Sequence, residues 1–173
     1  MIYNPLEDSY LLEKYVAKYS FGKTLDIGTG SGILAITALQ NTKDVIAVDI
    51  NLEAVNLAKK KGVNSFKSNL FSNVKGKFDT IIFNPPYLPL ERLEDKESRL
   101  NTTGGKYGYE VISRFLGKVN DYLNKDGIVL IVFSSLTNKN KVDSLIRKNK
   151  LNFELLEVVK FDFEELYCYL IRK

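Results

Sequence analysis

Short apolar blocks recur along the chain, and most of them are followed by a stretch with helical spacing. Residues 23–28 (KTLDIG) read as a buried strand stopped by glycine, and residues 31–40 as a helix opened by a Gly/Ser turn. Residues 44–50 (DVIAVDI) are a second apolar strand, after which Asn51 stands where a side-chain cap opens a helix running to about Lys61. Residues 65–69 make a short third strand, and residues 78–83 (FDTIIF) a fourth, cut off by Asn84-Pro85-Pro86. Val111, Ile112, Phe115, Leu116, Val119 and Leu123 recur at i, i+3, i+4, which predicts an amphipathic helix over residues 109–123. Residues 127–133 (GIVLIVF) are the most hydrophobic run and belong near the centre of a sheet. Residues 138–149 read as a further helix. Two β-rich runs, 153–163 and 166–172, close the chain with no helix between them.

Parallel strands need crossovers, so the helix-linked strands predict a doubly wound sheet. The last two strands are near enough in sequence to pair antiparallel. The expectation is an α/β fold: a mostly parallel seven-stranded sheet with one reversed strand near the C-terminal edge. No Pro/Ser-rich linker and no repeat divides the 173 residues, so 1–173 reads as a single domain. Residues 88–106 form the one long stretch without strong periodicity. It carries Glu91, Arg92, Glu94, Asp95, Lys96, Glu97 and Arg99, which fits a solvated loop or a lid over a site.

Composition removes whole classes of chemistry. The chain has no His and one Cys, Cys168, which excludes His-based metal sites, a Ser-His-Asp triad and a disulfide framework. A lone thiol, no export signal and no apolar run of membrane-spanning length place the protein in the cytoplasm, away from membranes. A net charge of +4 and a pI near 9.0 are compatible with a polyanionic partner without demanding one.

Two motifs stand at strand ends. Asp26-Ile27-Gly28-Thr29-Gly30-Ser31-Gly32 joins the first strand to the first predicted crossover helix, where glycines let a ligand approach the backbone beside a helix N-terminus. Position 33 is Ile where a dinucleotide G-x-G-x-x-G needs Gly, which argues against NAD or FAD, and no P-loop string occurs. Asp49, at the end of the second strand and next to Ile50, is placed to accept hydrogen bonds from both hydroxyls of a ribose; alone it would read as a helix N-terminal charge. After the fourth strand comes Asn84-Pro85-Pro86-Tyr87. Two prolines fix φ twice and make the corner rigid. The Asn side-chain oxygen and a proline carbonyl can accept both hydrogens of a planar NH2 group, with Tyr87 packed against the flat substrate group. Without the glycine loop, the same residues would read as a Pro-rich turn.

An acidic residue before G-x-G-x-G, with a second acid ending strand two, resembles the class I S-adenosylmethionine-dependent methyltransferases. NPPY resembles the amino-methyltransferase motif found in enzymes acting on adenine N6, guanine N2 or the glutamine side-chain amide. The opening Tyr3-Asn4-Pro5-Leu6-Glu7-Asp8-Ser9-Tyr10-Leu11-Leu12 resembles the Y-x-P-x-E-D-S/T-x-x-L start of the short HemK-like methyltransferases of archaea and eukaryotes, although Glu7 and Asp8 also suit a plain helix start. Residues 104–112 (GGKYGYEVI) resemble that family's G-G-x-x-G-x-E-V segment.

The resemblance implies methylation of N5 of the glutamine in the Gly-Gly-Gln loop of a class I release factor. It implies S-adenosylmethionine as donor, S-adenosylhomocysteine as product and no metal in this chain. It carries donor contacts onto Ser9, Asp26, Gly28, Gly30, Gly32, Asp49, Ile50, Asn69, Leu70 and Asn84, and substrate contacts onto Asn84, Pro85, Pro86 and Tyr87. One departure is Asn69-Leu70-Phe71, where the family usually has Asp-Leu-Phe; an Asn oxygen can still accept from the adenine amine, with weaker donor binding expected. Bacterial HemK enzymes add an N-terminal helical domain, so this chain looks like the short form. That form usually works with a small zinc-binding activator protein on an exposed strand edge, which points to strand three with Val63 and Phe66 as contacts. The alternatives are an adenine-N6 or guanine-N2 methyltransferase acting on RNA or DNA, and an inactive binding module of the same fold.

Overall fold

The computed structural model of the protein describes residues 5–89 and 103–173. The chain opens with α1 (Glu7–Tyr19), β1 (Thr24–Ile27), α2 (Ile33–Ala38), β2 (Val45–Asp49), α3 (Leu52–Lys60), β3 (Asn64–Lys67) and β4 (Phe78–Phe83). Two short strands follow, β5 (Leu88–Pro89) and β6 (Thr103–Gly105), then α4 (Glu110–Tyr122) and β7 (Leu123–Ser134). A 3-10 turn (Ser135–Thr137), α5 (Lys139–Lys148), β8 (Asn152–Lys160) and β9 (Glu165–Arg172) complete it.

Seven strands form one sheet in the order β3-β2-β1-β4-β7-β9-β8. β9 runs antiparallel to both β7 and β8, while the other pairings are parallel. The expected fold is therefore present, with the reversed strand second from the edge rather than on it.

Side chains alternate across the sheet. Val129, Ile131 and Phe133 of β7 join Tyr167, Tyr169 and Ile171 of β9 in one core, with Phe115, Leu116 and Val119 of α4 packed on it. Ile128, Leu130 and Val132 join Leu166, Cys168 and Leu170 in the other, under α1 and α2. Helices on both faces explain why these strands read as unbroken apolar runs. They also fix which strand ends are free to carry a site.

Some predicted boundaries move for identifiable reasons. The alternation assigned no element before residue 23, yet α1 is present. Its Leu11, Leu12, Tyr15 and Val16 are buried on the sheet, and Glu7 and Asp8 sit in its first turn. The helix expected over 31–40 covers only Ile33–Ala38, because Gly32 enters it in a left-handed conformation (φ +84°). β7 starts at Leu123 instead of 127: Leu123 pairs with Phe78, then the register shifts so that Ile128 meets Thr80. The Asn124 side chain, donating to Asp79 Oδ1 at 2.6 Å, occupies the shift. β8 stops at Lys160, and residues 161–164 form a turn closed by a Phe161 N–H bond to the Glu164 carbonyl at 2.7 Å.

Within the long stretch 88–106, β5 and β6 pair in parallel, so its two ends are tied together. Residues 90–102, and with them the charged positions of the expected lid, lie outside the described residues. Among the described residues β3 is an edge strand, bonded in the sheet only to β2. Val63, expected to face outward there, is instead buried at 3% exposure, because its N–H bonds back to Ala58 O at the end of α3. Phe66 remains half-buried on the edge. No helix among the described residues is long and apolar enough to cross a membrane.

Candidate active site

Where β1 meets β2, the sheet sets a carboxylate beside the glycine loop. Gly28, Gly30 and Gly32 all have positive φ (+71°, +49°, +84°), a conformation that side chains with a Cβ rarely adopt. Gly28 and Thr29 donate their N–H groups to Val48 O at 2.8 and 3.1 Å, anchoring the turn to β2. Asp49 Oδ2 then accepts from Gly30 N–H at 2.9 Å, and Oδ1 accepts from Asn51 N–H at 2.8 Å. Backbone donors on both oxygens orient the carboxylate, and its remaining lone pairs can accept from a vicinal diol. Burial raises the Asp49 carboxyl above its ordinary range, opposed by the Asn51, Gly30 and Ile50 amides.

Asp26 lies below this loop. It is fully buried and does not line the cleft. Its Oδ2 accepts from the Thr29 hydroxyl at 2.7 Å, while Oδ1 has no partner among the described residues. Burial pushes its carboxyl up to about 7, against the Thr29 bond and with the Asp49 charge adding to the rise.

Next to β1 on its other side, β4 ends at Phe83 and delivers the NPPY corner. A Cβ placed on Gly28 would stand 3.9 Å from Asn84 O, so glycine loop and corner face each other at close range. Asn84 Nδ2 donates to the Ser9 hydroxyl at 3.2 Å, and its Oδ1 is buried without a partner among the described residues. Tyr87 donates its hydroxyl to Asp8 Oδ2 at 3.1 Å and accepts on its backbone carbonyl from Thr137 Oγ1 at 2.8 Å. The glycines of the G-G-x-x-G segment close around the corner. A Cβ on Gly104 would collide with the Gly108 carbonyl and come within 2.7 Å of Pro86 O, and one on Gly108 would lie 2.5 Å from Tyr87 O. That segment is a backbone support for NPPY.

Both halves open into one cleft of about 1350 Å³. Of the residues singled out in the sequence, Ser9, Gly28, Gly30, Asp49, Ile50, Asn69, Leu70, Asn84, Pro85, Pro86 and Tyr87 line it. Asp26 and Gly32 do not, and sit behind the loop. Ile50 and Leu52, 46% and 54% exposed, give apolar walls beside Asp49. Sequence reasoning missed Arg114, whose Nη2 donates to Asn69 Oδ1 at 3.0 Å, and gave Asp8 a place in the opening motif or a helix start but no role in the site. It also missed the turn at 161–164, whose residues line the cleft.

Comparison with known proteins gives the class. The model for the methyltransferase small domain matches residues 7–160, and the chain belongs to that family. A relative from Methanocaldococcus jannaschii, provisionally named a protein N5-glutamine methyltransferase, is 40% identical over 95% of this chain and 88% of its own length. A release factor glutamine methyltransferase from Borreliella burgdorferi is 32% identical over 77% of this chain, which spans only 52% of that protein. Among solved structures, the Mtq2-Trm112 complex of E. cuniculi, described as responsible for methylating the eRF1 translation termination factor, superposes with TM-score 0.82. It has 24% identity, covering 99% of this chain and 98% of that one. A Bacteroides fragilis S-adenosylmethionine-dependent methyltransferase with bound S-adenosyl-L-homocysteine gives 0.65 at 19% identity, covering 98% and 78%. The fold is that of the S-adenosylmethionine-dependent methyltransferases.

Proposed function

We propose that this chain, acting as one domain over 1–173, transfers a methyl group from S-adenosylmethionine to the side-chain amide nitrogen of the glutamine in the Gly-Gly-Gln motif of a class I release factor. The observation that carries the reading is the buried Oδ1 of Asn84, unpartnered among the described residues, in a corner whose Asn84 backbone carbonyl lies close to Gly28 of the glycine loop. The named relatives support the choice of glutamine.

The residues present fit the donor. The Gly28–Gly30 turn offers a cradle that side chains would fill, Asp49 offers two acceptors to a ribose, and Ile50 and Leu52 offer walls for a flat base. When bound, S-adenosylmethionine supplies an electrophilic methyl on a sulfonium. Asn84 Oδ1 and the Pro85 carbonyl accept the two N–H bonds of the substrate amide and turn its out-of-plane face toward the donor side. Tyr87 packs against the plane of the amide. With the amide so held, the donor would supply its methyl to the nitrogen lone pair, with the sulfur as leaving group, and the proton on nitrogen would pass to water. Alignment and acceptors suited to positive charge on nitrogen do the catalytic work. A chain with no histidine is adequate for this, since no strong base is needed.

The charge of the described cleft lining favours protein over nucleic acid as substrate. Glu7, Asp8, Asp49, Glu53, Asp162 and Glu164 line it, against Lys67, Arg114 and Lys160. The overall positive charge therefore lies elsewhere, and a phosphate backbone entering this cleft meets like charge. Residues 104 and 108 keep NPPY supported in either case. The test offers labelled S-adenosylmethionine with release factor and bulk RNA side by side. Label on release factor supports the reading; label on RNA overturns it.

We also propose that the open side of β3, with Phe66, receives a small zinc-binding activator protein, and that the assembly works in the cytoplasm. The unpaired strand edge supports this, as does the complex with Trm112 formed by a protein of the same fold. A chain that purifies monodisperse and fully active alone contradicts it.

A further inference from the structure

Two pairs of residues far apart in sequence, Asp8 with Ser9 and Asn84 with Tyr87, form one directed chain of hydrogen bonds behind the NPPY corner. Asp8, at the start of α1, is 4% exposed, and Ser9 is 3% exposed. Asp8 Oδ1 accepts from the Ser9 N–H at 2.6 Å and from the Ser9 hydroxyl at 3.3 Å. Asp8 Oδ2 accepts from the Tyr87 hydroxyl at 3.1 Å. The Ser9 oxygen, with its own proton directed at Asp8, accepts from Asn84 Nδ2 at 3.2 Å.

A carboxylate can only accept, so it fixes the direction of every bond upstream. The Ser9 proton must point to Asp8, and the Ser9 lone pair is then left for the Asn84 NH2. That in turn puts the Asn84 oxygen on the far side of its amide, where it has no partner among the described residues. An amide flipped the other way would present two donors to an incoming NH2 group and repel it. The same carboxylate also holds the Tyr87 ring at the other end of the motif. Through buried, low-dielectric contacts such a chain is stiffer than its separate bonds.

We infer that Asp8 is a positioning residue: acting through Ser9 on Asn84 and directly on Tyr87, it sets the amide orientation that makes the corner an acceptor. Its effect on turnover rests on the methyl-transfer reading above; its effect on the Asn84 amide does not.

The test compares Asp8→Asn, Ser9→Ala and Ser9→Thr with the native chain. Asp8→Asn keeps shape and burial but can donate as well as accept, so the direction of the chain is lost. The first readout needs no substrate. In 15N spectra, with the Asn84 signals identified by their loss in Asn84→Ala, one of the two Asn84 side-chain protons exchanges slowly in the native chain. That protection disappears in Asp8→Asn and Ser9→Ala and returns in Ser9→Thr. The second readout is kinetic: in Asp8→Asn, kcat falls about 10- to 100-fold while S-adenosylhomocysteine affinity and melting temperature stay close to native. Unchanged Asn84 protection in Asp8→Asn overturns the proposal. So does a fall in kcat matched by an equal loss of S-adenosylhomocysteine binding. If the native chain leaves release factor unmodified while Asn84 protection follows the variants as stated, the proposed function falls and the positioning role stands.

Discussion

Arg114 Nη2 lies 3.0 Å from the side-chain oxygen of Asn69, an acceptor that a donor-binding cleft of this design would otherwise offer to the adenine amine. Arginine has no acceptor, so the atom facing it must be the oxygen. Asn69 therefore meets the cleft with one lone pair of its neutral acceptor already engaged. A carboxylate at this position could serve Arg114 and an amine together. Asn69→Asp is expected to tighten S-adenosylhomocysteine binding about 3- to 10-fold, the gain of one charge-assisted bond at an exposed site. Calorimetry checks it, and equal or weaker binding contradicts the assignment.

Asn84 and Asp49 act on different partners, so their variants separate cleanly. Asn84→Ala is expected to lower kcat by about 1000-fold, in line with loss of a preorganised group at the reacting atom. Binding of S-adenosylhomocysteine should stay within a few-fold of native, because the Asp49 half of the cleft is untouched. Parallel turnover and calorimetry decide it.

Asp49→Ala should do the reverse. Two acceptors held by the Gly30 and Asn51 amides disappear, and donor affinity is expected to fall by about 30- to 100-fold. Saturating donor then restores much of the turnover. A variant that binds donor normally would remove Asp49 from the ribose contact.

Asp26 predicts a pH dependence of stability. Its carboxyl ionises near 3.8 when free and near 7 in the folded chain. Between those values the folded state holds a proton that the unfolded state has lost, so this group makes stability fall as pH rises from about 4 to 7, then level off. Asp26→Asn mimics the protonated acid and abolishes that slope. In urea unfolding without ligand, the variant should match the native chain near pH 4 and exceed it above pH 8 by up to roughly 4 kcal/mol. A native chain that is the more stable of the two at pH 8 contradicts the account.

The strand ends were the legible part of this protein. Asp49 and Asn84 each follow an apolar run that stops abruptly, and a parallel sheet puts such ends on one edge. Contacts made across the fold were not legible. The Asn69–Arg114 bond spans 45 residues, and the Tyr87–Asp8 bond spans 79, with no local pattern to join either pair. α1 escaped because Leu11, Leu12, Tyr15 and Val16 make only a short stripe among polar residues. Val63 shows a third limit: edge position was readable, but the turn at Gly62 that rotates Val63 beneath α3 was not.

The most direct measurement is mass spectrometry of a release factor incubated with this chain and S-adenosylmethionine, with and without the activator. The expected result is one added methyl on the glutamine of Gly-Gly-Gln, absent with Asn84→Ala and absent when that glutamine is replaced. A methyl at another residue, or one that survives Asn84→Ala, would contradict the account.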